Sequence, residues 1–433
     1  MKTAQERIGE YIKFGSKLGL ERMEALCNLL GNPERKLKVI HVAGTNGKGS
    51  VCRYIYESLL ALGYSAGIFT SPYVTDFRER IEANGEMISE EELEELTELV
   101  ITAAKKLEDK GDPPTEFEII TAIGLLFFAR KSLDFTILEV GLGGRGDSTN
   151  IVKSPLVSII TGIALDHMDR LGNTLAEIAG EKAGIIKEGC PVISGATDDA
   201  AKVIAKKAYE VHAPLIDVTK IKYQITSKDP AGYTFNTNIS GRHYEGIELS
   251  ATGEHQVKNA VTALCALSLL RDKKLIHGDG EALRVGMKAA QLPARFFIAS
   301  KNPYVIFDGA HNADGAKALS NTIKDIFPGK RILLVCGILK DKEVSEIIKE
   351  FSSVANDFIA TASKNERSME PSELASLIRG TGGSVIAEFP ETIEAYDYAM
   401  SLADDYDVVV FAGSLYMTGE ILRYKGTERG FEV

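Results

Sequence analysis

The sequence predicts an α/β protein with mostly parallel sheets, arranged as two successive units. Three observations predict it. From residue 39 onward, short apolar runs of strand length alternate with longer helical stretches, the pattern of parallel strands joined by helical crossovers. The first run, Val39–Ala43, leads into a glycine-rich loop and then an apolar helical pattern from Val51 to Leu62. The alternation restarts after Pro293-Ala294-Arg295, dividing the chain into residues 1–293 and 294–433.

Residues 1–30 read as amphipathic helix, with Ile8, Ile12, Leu18, Met23, Leu26 and Leu30 offered to the first strand. A second strand is expected at Ser65–Thr70, a charged helix at Glu90–Lys110 and an apolar one at Glu118–Ala129. Strands at Phe135–Leu138 and Leu156–Thr161 follow, and 215–250 alternates like a subsidiary antiparallel sheet. In the second unit the expected strands are Tyr304–Asp308, Arg331–Gly337, Asp357–Ala362, Ser384–Glu388 and Asp407–Phe411. None of them runs into a GxGxxG turn, which leaves an NAD-binding reading unsupported.

The chain has 433 residues, 44% apolar and 26% charged, an ordinary globular balance with room for two or three cores. A formal charge of −11 argues against a broad nucleic-acid surface, so anionic substrates need local capture by glycine loops, lysines and metal. Five scattered cysteines form neither a zinc pattern nor a disulfide framework. No signal peptide or membrane-length apolar run is read, so a cytoplasmic enzyme is expected.

The chemistry-bearing residues follow strand ends, where ligands gather in parallel sheets. Gly44, Thr45, Asn46, Gly47, Lys48, Gly49 and Ser50 read as a phosphate-binding loop, the alternative being a glycine-rich turn with a solvated lysine. Its N–H groups converge on phosphate, Lys48 adds a cation and Ser50 a magnesium contact. Gly49 separates Lys48 from Ser50, where the usual loop has them adjacent. ATP or GTP chemistry is the premise. Glu139, before Val140-Gly141-Leu142-Gly143-Gly144-Arg145, reads either as a magnesium carboxylate or as a strand-end cap. His167, in Asp166-His167-Met168-Asp169, is a metal ligand or a hydrogen-bonded loop residue. Lys182 lies among small and apolar residues, with Gly180 and Gly184 clearing space around it. Burial there favours a neutral amine able to add carbon dioxide; the alternative is a snorkelling lysine or a phosphate partner. Asp308 and His311 follow a strand of the second unit and face the cleft, as ligand contacts or loop caps. Asn259 opens an alanine-rich helix within reach of a base, and Arg295 stands at the junction, within reach of phosphate.

Together these segments resemble the Mur-ligase superfamily, in its folylpolyglutamate synthase and dihydrofolate synthase branch. The resemblance rests on Gly44–Ser50, Thr70-Ser71-Pro72, Glu139–Arg145, Leu165–Met168, Glu181-Lys182-Ala183-Gly184-Ile185-Ile186-Lys187 and Asp308-Gly309-Ala310-His311-Asn312, in that order. Gly49 belongs to the family pattern. The resemblance implies a Mur-ligase-like P-loop ATPase central domain, with a smaller C-terminal Rossmann-like α/β domain. It implies ATP and Mg2+ as cofactors, with Ser71, Glu139 and His167 as metal ligands and Lys182 carbamylated. Lys48, Lys182, Asp308 and His311 are the implied catalytic set, and Asn259, Arg295 and Asp308 are implied nucleotide contacts. Thr115, Glu116, Phe117, Glu118, Gly146, Asp147 and Ser148 match the pterin-side pocket, and Ser414 the place of the incoming glutamate. Tyr73 stands where the family commonly has histidine, Gly146 where it often has a larger residue, and Ser148 where it has alanine.

The implied reaction adds L-glutamate to folates, and to dihydropteroate, through an acyl phosphate, in a monomer without nucleic-acid or membrane partners. The alternatives are a monofunctional folylpolyglutamate synthase, another Mur-type ligase or an ATP-gated regulatory protein. A UDP-muramoyl ligase is disfavoured because too little chain precedes residue 39 for a UDP-binding domain.

Overall fold

The protein is described from a computed structural model, covering residues 2–15, 17–278 and 280–429. The first unit is built on an eight-stranded sheet: β1 (Val39–Ala43), β2 (Ala66–Phe69), β3 (Ile81–Ala83), β4 (Glu86–Met87), β5 (Phe135–Glu139), β6 (Val157–Ile160), β7 (Val192–Ser194) and β8 (Leu215–Asp217). The spatial order is β4-β3-β2-β5-β1-β6-β7-β8; β3 and β4 add antiparallel strands to an otherwise parallel sheet. All five residues of β1 and of β5 are buried, as a parallel sheet covered on both faces demands.

Register builds the site. Val42 pairs with Glu139, Ala43 with Ile160 and Phe69 with Leu138. The chain segments leaving β1, β2, β5 and β6 therefore emerge side by side on one edge. On one face the helix Lys48–Ala61 buries Val51, Tyr54, Ile55 and Leu59 against the helix Glu254–Asp272. A three-stranded antiparallel sheet, β9 (Tyr223–Asp229), β10 (Gly232–Ile239) and β11 (Arg242–Leu249), closes that core with Tyr233, Phe235, Ile247 and Leu249. On the other face lie the helices Glu90–Glu108 and Glu116–Lys131. The second of these starts two residues before its expected position because Thr115 and Glu118 form a reciprocal capping box.

The C-terminal α/β domain holds a six-stranded sheet: β12 (Phe297–Lys301), β13 (Tyr304–Phe307), β14 (Ile332–Cys336), β15 (Asp357–Thr361), β16 (Ser384–Phe389) and β17 (Val408–Ala412). Its order is β12-β13-β17-β14-β15-β16, parallel except for the β12–β13 hairpin. Phe307 pairs with Phe411 and Cys336 with Ala412, so Asp308, Ser414 and the segment after Cys336 share one edge.

Several expectations need correction. The first 30 residues are two short helices, Ala4–Gly9 and Glu21–Leu29, with a 3-10 turn at Glu10–Phe14. Ile8, Met23 and Leu26 are buried, but Ile12, within the 3-10 turn, is 60% exposed, and Leu18, on the segment between it and the second helix, is 42% exposed. Residues 215–217 extend the main sheet instead of opening the antiparallel one. Asn259 lies more than a turn inside its helix, which begins at Glu254. All five cysteines are free thiols, and no helix among the described residues is long and apolar enough to cross a membrane.

Candidate active site

The loop between β1 and the helix Lys48–Ala61 turns through Gly44 (φ +150°) and Gly47 (φ +84°), conformations that glycine reaches without strain. A Cβ on Gly44 would collide with Thr161, and one on Gly47 would stand 2.4 Å from Asn259 Oδ1. No side chain caps the helix that follows, so its first-turn N–H groups remain available to an anion. Gly47→Ala should therefore weaken ATP binding by about tenfold or more, since it adds left-handed strain and a clash. Calorimetric titration with a non-hydrolysable ATP analogue checks this.

Glu139, ending β5, is 4% exposed. Its Oε2 accepts from Ser71 N at 3.1 Å, while Lys48 Nζ stands 4.0 Å from Oε1 and donates to Thr45 O at 3.2 Å. Burial raises the Glu139 pKa, opposed by the charges of Lys48, Arg295 and Arg80. A buried carboxylate whose nearest cation stands 4.0 Å away is a fitting magnesium ligand. A Cβ on Gly49 would point at Glu139 Oε2 from 3.5 Å, so glycine leaves that gap open. His167 takes φ +50° at the start of the short helix Met168–Leu171, and burial pushes its pKa down to about 4. Burial thus favours the neutral imidazole, the form able to bind a metal. No group of three or more His, Cys, Asp or Glu side chains poised for a metal occurs among the described residues. A magnesium ion here would take part of its shell from phosphate, Ser71 or water, as that ion commonly does.

Lys182 closes the helix Leu175–Lys182 and is 4% exposed. Its Nζ donates to Gly44 O at 2.8 Å, which ties it to the phosphate loop. Burial, reinforced by the charge of Lys48, lowers its pKa to about 7. The glycine making room beside its backbone is Gly144, whose Cβ would stand 3.0 Å from Lys182 Cα. Gly184 instead accommodates Arg145, and Gly180 faces open space, contrary to the expectation from spacing.

From the C-terminal domain, Asp308 accepts from Phe296 N and Ala310 N, both at 2.8 Å. Burial raises its pKa, with Arg295 opposing. His311 Nδ1 lies 2.7 Å from Gly309 O, an acceptor only, so Nδ1 carries the proton. Its Nε2 stands 3.7 Å from Asp166 Oδ2. Asp166 also binds Lys342 Nζ at 2.6 Å, both side chains being under 10% exposed. Against the burial that favours its neutral form, His311, His167 and Lys342 hold the Asp166 carboxyl well below the usual range.

These groups line a cleft of about 1100 Å³, from Gly44–Ser50, Glu139, His167 and Lys182 to Asn259, Arg295, Asp308 and His311. A second cavity of about 480 Å³ adjoins it, lined by Thr115, Glu116, Phe117, Glu118, Gly146, Asp147, Ser148 and Ser414. The two share Ser71, Pro72, Gly141, Leu142, His167, His311 and Leu415. Each residue matched to a catalytic, nucleotide, metal or substrate role in the sequence thus lines one cavity or the other, whereas Tyr73, Gly180 and Gly184 line neither. Thr115 and Glu118 are partly spent on capping, and Glu118 also pairs with Arg22 at 3.2 Å. Asp147 accepts from Leu142 N and Thr149 N, and Ser148 Oγ lies 2.9 Å from Thr121 Oγ1. Gly146 has a local reason: a Cβ there would stand 2.9 Å from Gly19 N, where the N-terminal segment crosses.

Sequence reasoning missed three residues. Lys342 lies in the loop after β14, separated from the strand by Gly337-Ile338-Leu339-Lys340-Asp341, so strand-end position offered only a weak signal. Arg367, lining the smaller cavity, and Arg80 gave no signal. Arg80 lies 5.2 Å from the Tyr73 ring and 5.6 Å from the Phe77 ring, with Nε buried and unpartnered.

This fold and site define the Mur-ligase class. Residues 42–267 match the Mur ligase middle domain and residues 294–415 the Mur ligase, glutamate ligase domain. Within that class, the chain is 39% identical over 416 residues to the dihydrofolate synthase/folylpolyglutamate synthase of Bacillus subtilis, covering 95% of each. It superposes on Mycobacterium tuberculosis folylpolyglutamate synthase complexed with ADP with a TM-score of 0.90, at 29% identity and 98% coverage of both chains. It is likewise similar to E. coli FolC in complex with DHPP and ADP, with a TM-score of 0.87, 32% identity and 99% coverage of both. The chain belongs to the folylpolyglutamate synthase/dihydrofolate synthase family.

Proposed function

We propose that this protein is an ATP-dependent ligase that forms an amide between L-glutamate and a folate carboxyl group, and that it also converts dihydropteroate to dihydrofolate. The observation that carries the reading is the junction of the two cavities at Ser71, His167 and His311. A carboxylate reaching through the smaller cavity meets the end of the phosphate loop there.

The substrate carboxylate attacks the γ-phosphorus of ATP, the bond to the bridging oxygen breaks, and ADP leaves. Lys48 and Arg295 offset charge on the phosphates. Ser71, Glu139 and His167 would hold Mg2+, which adds further charge compensation when bound. The neutral amine of glutamate then attacks the acyl phosphate carbonyl. Collapse of the tetrahedral intermediate expels phosphate and leaves the amide. His311, whose Nδ1 proton is committed to Gly309 O, offers Nε2 at the junction for the proton that the amine loses. Asn259 and Asp308 serve the nucleoside, and Ser414 with Lys342 and Arg367 serves the carboxylates of glutamate. Closure over both cavities excludes water that would hydrolyse the acyl phosphate.

The division at residues 293 and 294 is supported by Gly309 N donating to Ala294 O at 2.7 Å, which binds the chain into the second sheet from that point. Purified protein given ATP, magnesium and glutamate should yield products heavier by one glutamate from dihydropteroate and from tetrahydrofolate, read by mass spectrometry. Extension of tetrahydrofolate alone would reduce the reading to a monofunctional folylpolyglutamate synthase. Phosphate release independent of both substrates would favour an ATP-gated protein instead. Arg80→Ala should raise KM for the pterin-side substrate by about 10- to 100-fold, the value of a charge-assisted hydrogen bond. Steady-state kinetics checks this, with Arg80→Lys expected to recover part of the loss.

A further inference from the structure

Asn46 lies within the phosphate loop, yet its side chain is spent on the C-terminal domain. Its Nδ2 donates to Asp314 Oδ2 at 2.8 Å and to Asn312 Oδ1 at 3.2 Å, and its Oδ1 accepts from Asn312 Nδ2 at 3.1 Å. The main chain is anchored separately, within its own domain. Asn46 O accepts from Thr161 Oγ1 at 2.6 Å, Thr45 N donates to Gly162 O at 2.8 Å, and Thr45 Oγ1 donates to Ala164 O at 3.1 Å. The loop would therefore keep its shape without the Asn46 amide, and phosphate is met by backbone N–H groups and Lys48.

The other side of the contact is equally well anchored. Asn312 caps the helix Ala313–Ile326 through Gly315 N at 2.8 Å and donates to Asp166 Oδ2 at 3.3 Å. Asp314 stands exposed in the first turn of that helix. A reciprocal amide pair plus one carboxylate thus joins the phosphate loop to the element that follows Asp308 and His311. The contact spans 266 to 268 residues of chain.

We propose that Asn46 is a positioning residue that holds the C-terminal domain over the phosphate loop, so that the acyl phosphate is captured by the amine rather than by water. The inference rests on the ligase reading above. An acyl phosphate has two fates, aminolysis and hydrolysis, and the outcome depends on how long the amine-bearing domain stays seated. Weakening this clamp leaves phosphoryl transfer possible and lets water compete.

The test compares phosphate released with amide formed, in the same assay, at saturating ATP. Asn46→Asp removes the donor and sets a carboxylate against Asp314. It should raise the ratio of phosphate to amide by about tenfold and raise KM for glutamate. Asp314→Ala, an exposed change outside the phosphate loop, should raise the ratio in the same direction, with affinity for a non-hydrolysable ATP analogue kept within about threefold. The double variant Asn46→Asp with Asp314→Asn restores a donor–acceptor pair between the two positions but leaves a carboxylate facing Asn312 Oδ1, and should recover part of the lost coupling. Unchanged ratios in both single variants would overturn the proposal. So would a double variant as uncoupled as the sum of the singles, or an Asp314→Ala protein whose lost turnover is matched by lost analogue binding. A wild-type protein that forms no amide would instead sink the ligase reading, which keeps the two failures distinct.

Discussion

Lys182→Ala should lower kcat by about 10²–10³-fold, the scale of removing one preorganised electrostatic group from an active site. A short-chain carboxylic acid in the assay should restore part of it. The side chain is buried, its pKa is brought down to about 7, and its amine is held 2.8 Å from Gly44 O at the start of the phosphate loop. A lysine that gives up its proton near neutrality is a good acceptor for carbon dioxide, and the carbamate so formed acts as a carboxylate next to Lys48. An added acid occupies the space vacated in the alanine variant and replaces that charge. The sign with pH follows from the lowered pKa: the neutral amine dominates above about pH 7 and is lost below it. Activation of the wild-type protein by bicarbonate should therefore fade on the acid side. Full activity of Lys182→Ala without added acid would remove the carbamate from the mechanism.

Glu139→Ala should cost about 10³-fold or more in turnover, consistent with the several kcal/mol of charge stabilisation that a bound metal ion supplies. It should also weaken the binding of Mn2+, used as a spectroscopic stand-in for Mg2+, in the presence of an ATP analogue. The carboxylate ends a fully buried strand, takes one hydrogen bond from Ser71 N, and has Lys48 as its nearest cation at 4.0 Å. Removing it leaves Lys48 without its carboxylate neighbour, so the lysine has freedom to swing toward phosphate. That compensates charge but not the metal. An unchanged magnesium dependence of the residual activity would take Glu139 out of the metal site.

Much of this site was legible in the amino-acid sequence, because its residues come in short runs after apolar strands. In a parallel sheet, the end of a strand is also a place at the ligand-binding edge. That rule brought Gly44–Ser50, Ser71, Glu139, His167, Asp308 and His311 to a common cleft before any distance was known. Other features depend on contacts that spacing does not encode. The room beside Lys182 comes from Gly144, nearly forty residues earlier in the chain, rather than from its own helix. Arg80 sits in a 3-10 turn among Asp76, Arg78 and Glu79, where one more charge stands out in nothing. Its burial comes from the rings of Tyr73 and Phe77.

The amino-acid sequence by itself determined the α/β class, the phosphate loop and the family pattern, since apolar period, glycine placement and strand-end chemistry are local properties of the chain. The tertiary structure alone decided which partners the polar groups meet. Asn46 reads locally as one more loop residue, and only the docking of the C-terminal domain turns its amide toward Asn312 and Asp314. Asp166 likewise gains its buried partner Lys342 from 176 residues away. The physical reason is that backbone geometry follows from neighbours in sequence, whereas burial and charge pairing follow from neighbours in space.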